Sequence, residues 1–341
     1  MNYEALRNLL FLLPAEAAHH VSLQSIGLME LLKLTSLIAR DVPDDPVEVM
    51  GIRFPNRVGL AAGLDKNAAC IDGLGAMGFG FLEVGTVTPR AQDGNAKPRL
   101  FRLRDKQALI NRMGFNNEGV DPLCKRVRRS KFDGILGINI GKNTTTSVED
   151  ALADYVFCLR KVYKQASYVA VNISSPNSPG LRDLQKESEL ATLIEGLKEE
   201  HEALKKKFGQ HVPLVVKIAP DMNDEAMSSL ARRLLSFELD GVIVSNTTVS
   251  RGAVAGERDS DQSGGLSGEP LRSQANHALA LVSNEVKGKM AVIGVGGIVK
   301  GEDAAEKIRL GADLVQIYTG FIYQGPDLIS DCAKSIKSRT N

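Results

Sequence analysis

Cysteine is scarce in this chain of 341 residues. Cys70, Cys124, Cys158 and Cys332 lie far apart with no C-x-x-C pair, which excludes a disulfide framework as the organising device. The five histidines, His19, His20, His201, His211 and His277, show no zinc-ligand spacing, so no metal is expected. An excess of either charge is also missing. Lys and Arg number 42 against 41 Asp and Glu, a net charge of +1, which argues against a basic nucleic-acid binder. The 43% of hydrophobic residues argues against a disordered chain. Long apolar runs are absent as well: charges and Pro14 interrupt Met1 to Ala39 well short of the ~20 residues that span a bilayer, and no small-residue cleavage site follows. A soluble globular protein in a reducing cytoplasm is expected. Its length suits one α/β barrel with appendages better than several small domains.

Leu6, Leu9, Leu10 and Leu13 recur at helical spacing, Pro14 suits a first helical turn, and Leu28, Leu31 and Leu32 continue the pattern. Two short amphipathic helices are expected. The segment Asp41-Val-Pro-Asp-Asp-Pro46 ends them, because two prolines among acidic turn residues cannot continue a helix. Residues 1–46 therefore form an N-terminal helical segment and residues 47–341 the main domain. Val47, Val49, Ile52 and Phe54 around Met50-Gly51 predict a small hairpin at its entrance. From there, short β-branched runs alternate with charged helical stretches. The runs are Val58 to Ala62, Phe81 to Val84, Ile135 to Ile140, Tyr168 to Ile173, Leu214 to Ile218, Val242 to Ser245, Ala291 to Val295 and Leu314 to Tyr318. Eight buried parallel strands with intervening helices make a (β/α)8 TIM barrel the expected fold, with a doubly wound open sheet as the alternative.

Polar residues cluster where these runs end. Gly63-Leu-Asp65-Lys66, Thr86, Asn139, Asn172 with Ser174-Ser175, Lys217, Ser245-Asn246-Thr247, Gly296-Gly297 and Tyr318-Thr319-Gly320 follow the strands in order. A closed barrel gathers such ends at one mouth, where barrel enzymes place their chemistry. Polar caps and turns are the plain alternative, but repeated amides and two lysines exceed what capping needs. Gly294-Val-Gly296-Gly297 and Tyr318-Thr-Gly320 fit the barrel phosphate site and imply a phosphorylated cofactor. Gly73-Leu-Gly75-Ala-Met-Gly78 satisfies G-x-G-x-x-G, yet it ends a helical stretch instead of following a strand, so helix termination explains it better. Gly141-Lys142 lacks the remainder of a P-loop. Lys66 and Lys217 can each hold negative charge, and Lys217 interrupts a buried run, so it needs a partner inside. Asn111, Asn139, Asn172, Asn177 and Asn246 suit the imide edges of a pyrimidine or flavin.

In Asn172-Ile-Ser-Ser175-Pro-Asn177, Ala61-Ala-Gly63-Leu-Asp-Lys66-Asn, Ile110-Asn-Arg-Met-Gly-Phe-Asn116 and Ile293-Gly-Val-Gly-Gly297 the sequence closely resembles the dihydroorotate dehydrogenase family. The serine and the N-terminal helices resemble its class 2, membrane-associated, quinone-dependent branch, and the likeness covers essentially the whole chain. It implies a barrel holding FMN that oxidises (S)-dihydroorotate to orotate in pyrimidine biosynthesis. By that resemblance Ser175 is the catalytic base, and Ser174 is structural. Lys66, Asn111, Arg112, Met113, Gly114, Phe115, Asn172, Asn177, Asn246 and Thr247 match substrate-binding positions, with Lys66 on the carboxylate. Ala62, Gly63, Leu64, Asp65, Lys66, Thr86, Asn139, Asn172, Lys217, Ser245, Gly268, Gly297, Tyr318 and Thr319 match FMN-binding positions. The N-terminal helices would form a quinone tunnel with His19 and Arg102 in its lining, and would lie on the membrane.

Ser174 to Leu184, with Pro176, Pro179 and Gly180, reads as a lid that admits substrate and then excludes water, or as a rigid loop. The basic clusters Lys125-Arg126 with Arg128-Arg129, and Arg99 to Lys106, read equally as lipid-facing or as a solvated helix and hairpin. No Arg-rich transit segment leads the chain, so a bacterial protein on the cytoplasmic face of the cell membrane is expected. The competing functions are another FMN-dependent barrel oxidoreductase acting on a dihydropyrimidine, and a non-catalytic barrel that binds a phosphorylated ligand.

Overall fold

The computed structural model describes residues 3–340. Two helices open the chain, α1 (Tyr3–Leu10) and α2 (Ala15–Leu31), followed by the hairpin of β1 (Val47–Val49) and β2 (Ile52–Phe54). The hairpin stands where Met50-Gly51 predicts it, with both turn residues at positive φ. Pro14 caps α2 instead of entering its first turn.

Eight parallel strands then close on themselves. They are β3 (Val58–Leu60), β4 (Phe81–Val87), β9 (Ile135–Ile140), β10 (Tyr168–Asn172), β11 (Leu214–Ile218), β12 (Gly241–Val244), β14 (Ala291–Val295) and β15 (Leu314–Ile317). Each pairs in parallel with the next, and β15 returns to β3, so the open-sheet alternative falls away. Most of the intervening chain folds back as helices: α3 (Ile71–Gly75), α4 (Val120–Val127), α5 (Ala151–Val162), α6 (Glu187–Phe208), α7 (Asp224–Ser236), α8 (Arg272–Val286) and α9 (Gly301–Arg309). Gly73 and Gly75 lie inside α3, and Gly78 follows at φ +97°, which fits helix termination and not a dinucleotide fingerprint. Local chemistry fixes the other helix ends. α6 starts with Glu187 and Glu189 and finishes with Lys205, Lys206 and Lys207, matching its dipole. Asn223 caps α7 by accepting from Ala226 N at 2.8 Å.

The strand runs look continuously apolar because both faces are buried, yet they obey the two-residue period. Leu82, Val84, Val169, Val171, Val216 and Val244 face the helices. Phe81, Tyr168, Val215, Ile243, Ile293 and Leu314 point inward and fill the barrel's lower half with Phe54 of the hairpin. Gly137 makes room for this filling: a Cβ there would stand 2.2 Å from the Tyr168 ring.

Short strands cover the mouth. β5 (Arg90–Gln92) pairs with β8 (Asn117–Gly119), and β6 (Leu100–Leu103), β7 (Ala108–Asn111) and β13 (Gly265–Gly268) make a second sheet. After the barrel come α10 (Thr319–Gln324) and α11 (Asp327–Thr340).

The segment from Arg99 to Lys106 departs from both expectations for it, since three of its basic side chains turn onto the N-terminal helices. Arg99, buried, holds the Glu16 carboxylate with Nη2 at 2.7 Å and Nε at 3.1 Å. Arg102 donates to the carbonyls of Phe11 at 3.0 Å and Leu13 at 2.6 Å, and Arg104 also donates to Phe11 O. These carbonyls stand just past the C-terminus of α1, where the helix dipole favours cations. Burial pushes the Glu16 carboxyl up, but the Arg99 hydrogen bonds and charge, backed by Lys97, bring it below the ordinary value. The pair therefore contributes stability above the ordinary glutamate range and loses it as pH falls through the depressed value. Glu16→Gln is expected to weaken the docking of α2 by about 2 kcal/mol. Limited proteolysis within residues 3–46 at neutral pH should then quicken, as it should for the unaltered protein only in acid; equal rates in both proteins would show that the pair does not hold the helix.

Candidate active site

A cavity of about 1000 Å³ opens at the carboxyl ends of the barrel strands, under the β6–β7–β13 sheet. The strand ends supply Thr86, Asn172, Lys217, Ser245 and Tyr318, while β7 supplies Asn111 and β13 supplies Gly268. Ser175 and every residue expected to bind substrate or FMN line it except four: Leu64, Asp65, Arg112 and Asn139. Leu64 faces a second cavity beneath α2. Asp65 is buried, accepts from the backbone N–H groups of Ala69 and Cys70 at 2.8 Å each, and so shapes its own turn. The Arg112 guanidinium points away, to Gln262 at 2.9 Å and the Pro98 carbonyl at 2.9 Å, over the Phe101 ring. Asn139 lies fully buried just behind the lining.

The amides form one continuous row. Asn246 Nδ2 donates to Ser174 Oγ at 2.9 Å, and Ser174 Oγ donates to Asn172 Oδ1 at 2.9 Å. Asn172 Nδ2 donates to Thr86 Oγ1 at 2.9 Å, and Thr86 Oγ1 donates to Asn139 Oδ1 at 2.6 Å. Ser174 is thus consumed in structure, as expected. Ser175 is different: its Oγ accepts only a weak 3.2 Å bond from Asn177 N, and it faces the cavity. Asn177 Nδ2 reaches Asn111 Oδ1 at 3.0 Å, tying the serine loop to β7.

Several polar atoms of the cavity wall are buried without a partner: Asn177 Oδ1, Thr247 Oγ1 and Gln316 Oε1. Orphaned acceptors and a hydroxyl are costly to leave dry, so they mark where a ligand with N–H groups and carbonyls sits. Two cations share the cavity. Lys66 Nζ donates to Gly63 O at 2.8 Å; burial, with the Arg99 charge behind it, lowers its pKa to about 8 against the pull of Glu16 and Asp65. Burial also lowers Lys217, with Glu83 opposing. At Gly297, φ is +77° and a Cβ would stand 2.2 Å from Arg272 Cα, so only glycine lets the β14 turn pack this closely on α8. The first-turn N–H groups of α10 have no helical acceptor and open beside that turn. Together the orphan atoms, lysines and tight turn fit a planar, amide-bearing ligand with a phosphate.

The second cavity, about 720 Å³, is mostly apolar and lies between α1, α2 and the barrel. His19 and Arg102 both line it. Burial and the Lys66 charge lower His19 to about 3, so its imidazole is neutral. Tyr318 borders both cavities.

Sequence reasoning missed Gln316, Ser267 and Leu271 in the wall, and Glu83 below it. A signal existed for two of them: Glu83 and Gln316 interrupt apolar runs just as Lys217 does. Arg182 was also missed. Its guanidinium donates to Ser174 O at 3.1 Å, Thr247 O at 3.0 Å and Asp221 Oδ2 at 2.8 Å, clasping the loop from Ser174 to Leu184 over the mouth.

A closed parallel barrel with a cationic, amide-lined mouth and an apolar cavity behind it defines a (β/α)8 barrel of the kind that places a ligand site at its strand ends. Comparison with known proteins agrees and narrows the class. The dihydroorotate dehydrogenase family model matches residues 46–340. Proteins called dihydroorotate dehydrogenase (quinone) are similar along the whole chain. The one from Cellvibrio japonicus is 54% identical over 98% of this chain and 98% of its own, and the one from Pseudomonas fluorescens 52% identical over 99% of each. The crystal structure of DHODH in complex with ferulenol from Eimeria tenella superposes with a TM-score of 0.86 at 37% identity, covering 95% of this chain and 91% of that one. The chain belongs to the dihydroorotate dehydrogenase family.

Arg182→Ala removes three hydrogen bonds and leaves Asp221 one cation short. Faster amide hydrogen exchange across residues 174–185, with the barrel strands unchanged, is expected; unchanged exchange would assign the closure of the loop to packing alone.

Proposed function

We infer that the protein oxidises (S)-dihydroorotate to orotate in pyrimidine biosynthesis, with FMN in the barrel mouth and a membrane quinone as electron acceptor. The observation that carries this is the placement of Ser175, with a weakly engaged hydroxyl, in the same cavity as Lys66 and Lys217. When bound, FMN supplies an isoalloxazine ring that accepts two electrons from the substrate and yields them to the quinone.

The chain's own residues supply recognition and proton handling. Lys66 meets the substrate carboxylate as a compact cation. Asn111, Asn172, Asn177 and Asn246 offer donors and acceptors to the imide edges of the pyrimidine ring. Ser175 Oγ removes a proton from a ring carbon. A free serine is a poor base, so as it takes the substrate's proton its own leaves through a water or a neighbouring hydroxyl, while the loop held by Arg182 keeps bulk water out and the hydroxyl aimed. Lys217, in the cavity lining, would hold the flavin's electron-rich ring and would supply a cation for negative charge there. The turn at Gly297 and the start of α10 would hold the phosphate. Residues 1–46 form the quinone-access segment, with His19 and Arg102 in the lining of its tunnel, and residues 47–341 form the catalytic domain.

A visible spectrum taken without oxygen tests the reaction. A flavin band that bleaches on addition of dihydroorotate is expected, and Ser175→Ala is expected to retain the band but bleach at least 100-fold more slowly, about the contribution of a positioned general base. Absence of flavin after reconstitution with FMN, or bleaching at the original rate in Ser175→Ala, would overturn the assignment.

Quinone is membrane-soluble, so the protein must reach a bilayer. Among the described residues no helix is long and apolar enough to cross one. Among the described residues twelve large hydrophobic side chains are exposed, and ten of them lie between Leu6 and Leu37, Leu12 and Leu31 being the most exposed. Such a patch supports peripheral attachment by the N-terminal helices, at the cytoplasmic face of the cell membrane. Sedimentation with phospholipid vesicles is expected for the intact chain and is expected to fall at least tenfold in Leu12→Glu/Leu31→Glu, with dihydroorotate-driven flavin bleaching intact. Equal sedimentation of both proteins would place membrane attachment elsewhere.

A further inference from the structure

Glu83 is a fully buried acid that no step of the reaction above uses. It points into the barrel from β4, one layer beneath the cavity. Its Oε1 accepts from Asn139 Nδ2 at 2.9 Å, and its Oε2 accepts from the Tyr168 hydroxyl at 2.8 Å and Gln316 Nε2 at 2.7 Å. Gln316 Nε2 also approaches the Tyr168 oxygen at 3.3 Å, which commits the phenol proton to Glu83. Three donors converging on two oxygens suit a carboxylate, which can only accept. A buried carboxylate requires a nearby cation. Lys217, on the inner face of β11 and almost fully buried, is the cation that feels it. Burial drives Lys217 towards the neutral amine, and Glu83 is the one charged group opposing this among the described residues. Tyr168 adds no charge, because burial and Glu83 both hold its phenol protonated far above the usual range.

We propose that Glu83 is a positioning residue for the flavin site, keeping Lys217 an ammonium at the cavity and fixing the Asn139–Thr86–Asn172 row beside it. Asn172 is the register partner of Lys217 across β10 and β11, so the row and the ammonium meet at one place. One buried carboxylate thus sets both the charge and the orientation of the groups that face the electron-rich ring. The inference rests on the FMN reading above, and purified protein that takes up no flavin would defeat that reading before this one is tested.

The sign of the effect separates direct from indirect action. A negative charge below the ring opposes reduction, so deleting Glu83 raises the flavin potential if nothing else changes. Acting through Lys217, the same deletion removes the ammonium and lowers the potential. The test is the midpoint potential of bound FMN against pH in the holoenzyme, for Glu83→Gln, Lys217→Gln and the double variant. The expected result is a lower potential in Glu83→Gln, with the pH break of the Lys217 ionisation moved down by about one unit or more. The fall should vanish when Lys217 is already Gln, the non-additivity of two groups acting as one. A raised or unchanged potential, or an equal fall in the Lys217→Gln background, would overturn the proposal. Tyr168→Phe removes one donor but keeps the charge; its potential should stay near the original, and a fall matching Glu83→Gln would assign the effect to packing and overturn it too. If Glu83→Gln does not fold, the Lys217 side-chain resonance of the unaltered holoenzyme at neutral pH decides: an ammonium supports the proposal, and a neutral amine refutes it.

Discussion

Closing eight parallel strands into a cylinder leaves an interior that side chains must fill, and the rest of this molecule depends on how that filling changes with height. At the bottom it is aromatic and aliphatic, with Phe54, Phe81 and Tyr168 packed where Gly59 and Gly137 leave space. One layer higher the same inward positions turn polar: Glu83, Asn139, Gln316 and Lys217. That change is affordable only because every group finds a partner within the layer or a ligand above it. The lower layer seals the barrel against water, which strengthens each electrostatic contact in the polar one. The cavity at the mouth is therefore the top of a continuous column whose charges are set from beneath.

The N-terminal helices are held on different terms. They bury little, with Ala18 the one buried residue of α2, so packing alone cannot fix them. Polar pins do it instead: Glu16 on Arg99, the carbonyls after α1 on Arg102 and Arg104, the Tyr3 hydroxyl on Ile322 O and Arg7 on Tyr323 O. Pinning a helix at its ends leaves the space between helix and barrel open. An apolar cavity survives there, and the leucines on the outer faces stay uncovered. Tight apolar docking would have filled the one and hidden the other.

Much of this was legible in the residues. The eight strand runs, the entrance hairpin and the gathering of polar residues at strand ends all follow from periodicity and turn chemistry, and the structure keeps them. Lys217 advertised itself as a charge inside a buried run. Glu83 and Gln316 carried the same mark but went unread, because a single polar residue in a strand of mixed length looks like a solvent-facing position until the barrel closes. The contacts of Arg99, Arg102 and Arg104 were not legible for the opposite reason: a basic cluster on a hairpin resembles solvated or lipid-facing charge, Arg102 stood out only as a tunnel-lining position, and only the third dimension brings Glu16 and the carbonyls after α1 within reach. Arg112 stands in a motif whose neighbours line the cavity, yet the β7 turn sends its side chain outward, over Phe101.

The two cavities meet at Tyr318, and their contrast explains why one wall suffices. The mouth is charged and amide-lined, suited to an anionic pyrimidine; the chamber under α1 and α2 is apolar, suited to an isoprenoid quinone. A ligand fit for either pays a desolvation cost in the other. Burial keeps His19 neutral and the Tyr318 phenol protonated, its pKa raised to about 12, so the wall between the cavities adds no charge, and the chamber's two guanidinium groups, Arg7 and Arg102, are turned to backbone carbonyls. Electrons cross a few ångströms of protein and ring far more readily than an anion crosses an apolar chamber. On the function proposed above, substrate oxidation and quinone reduction would then take place in separate cavities without either ligand reaching the other's place.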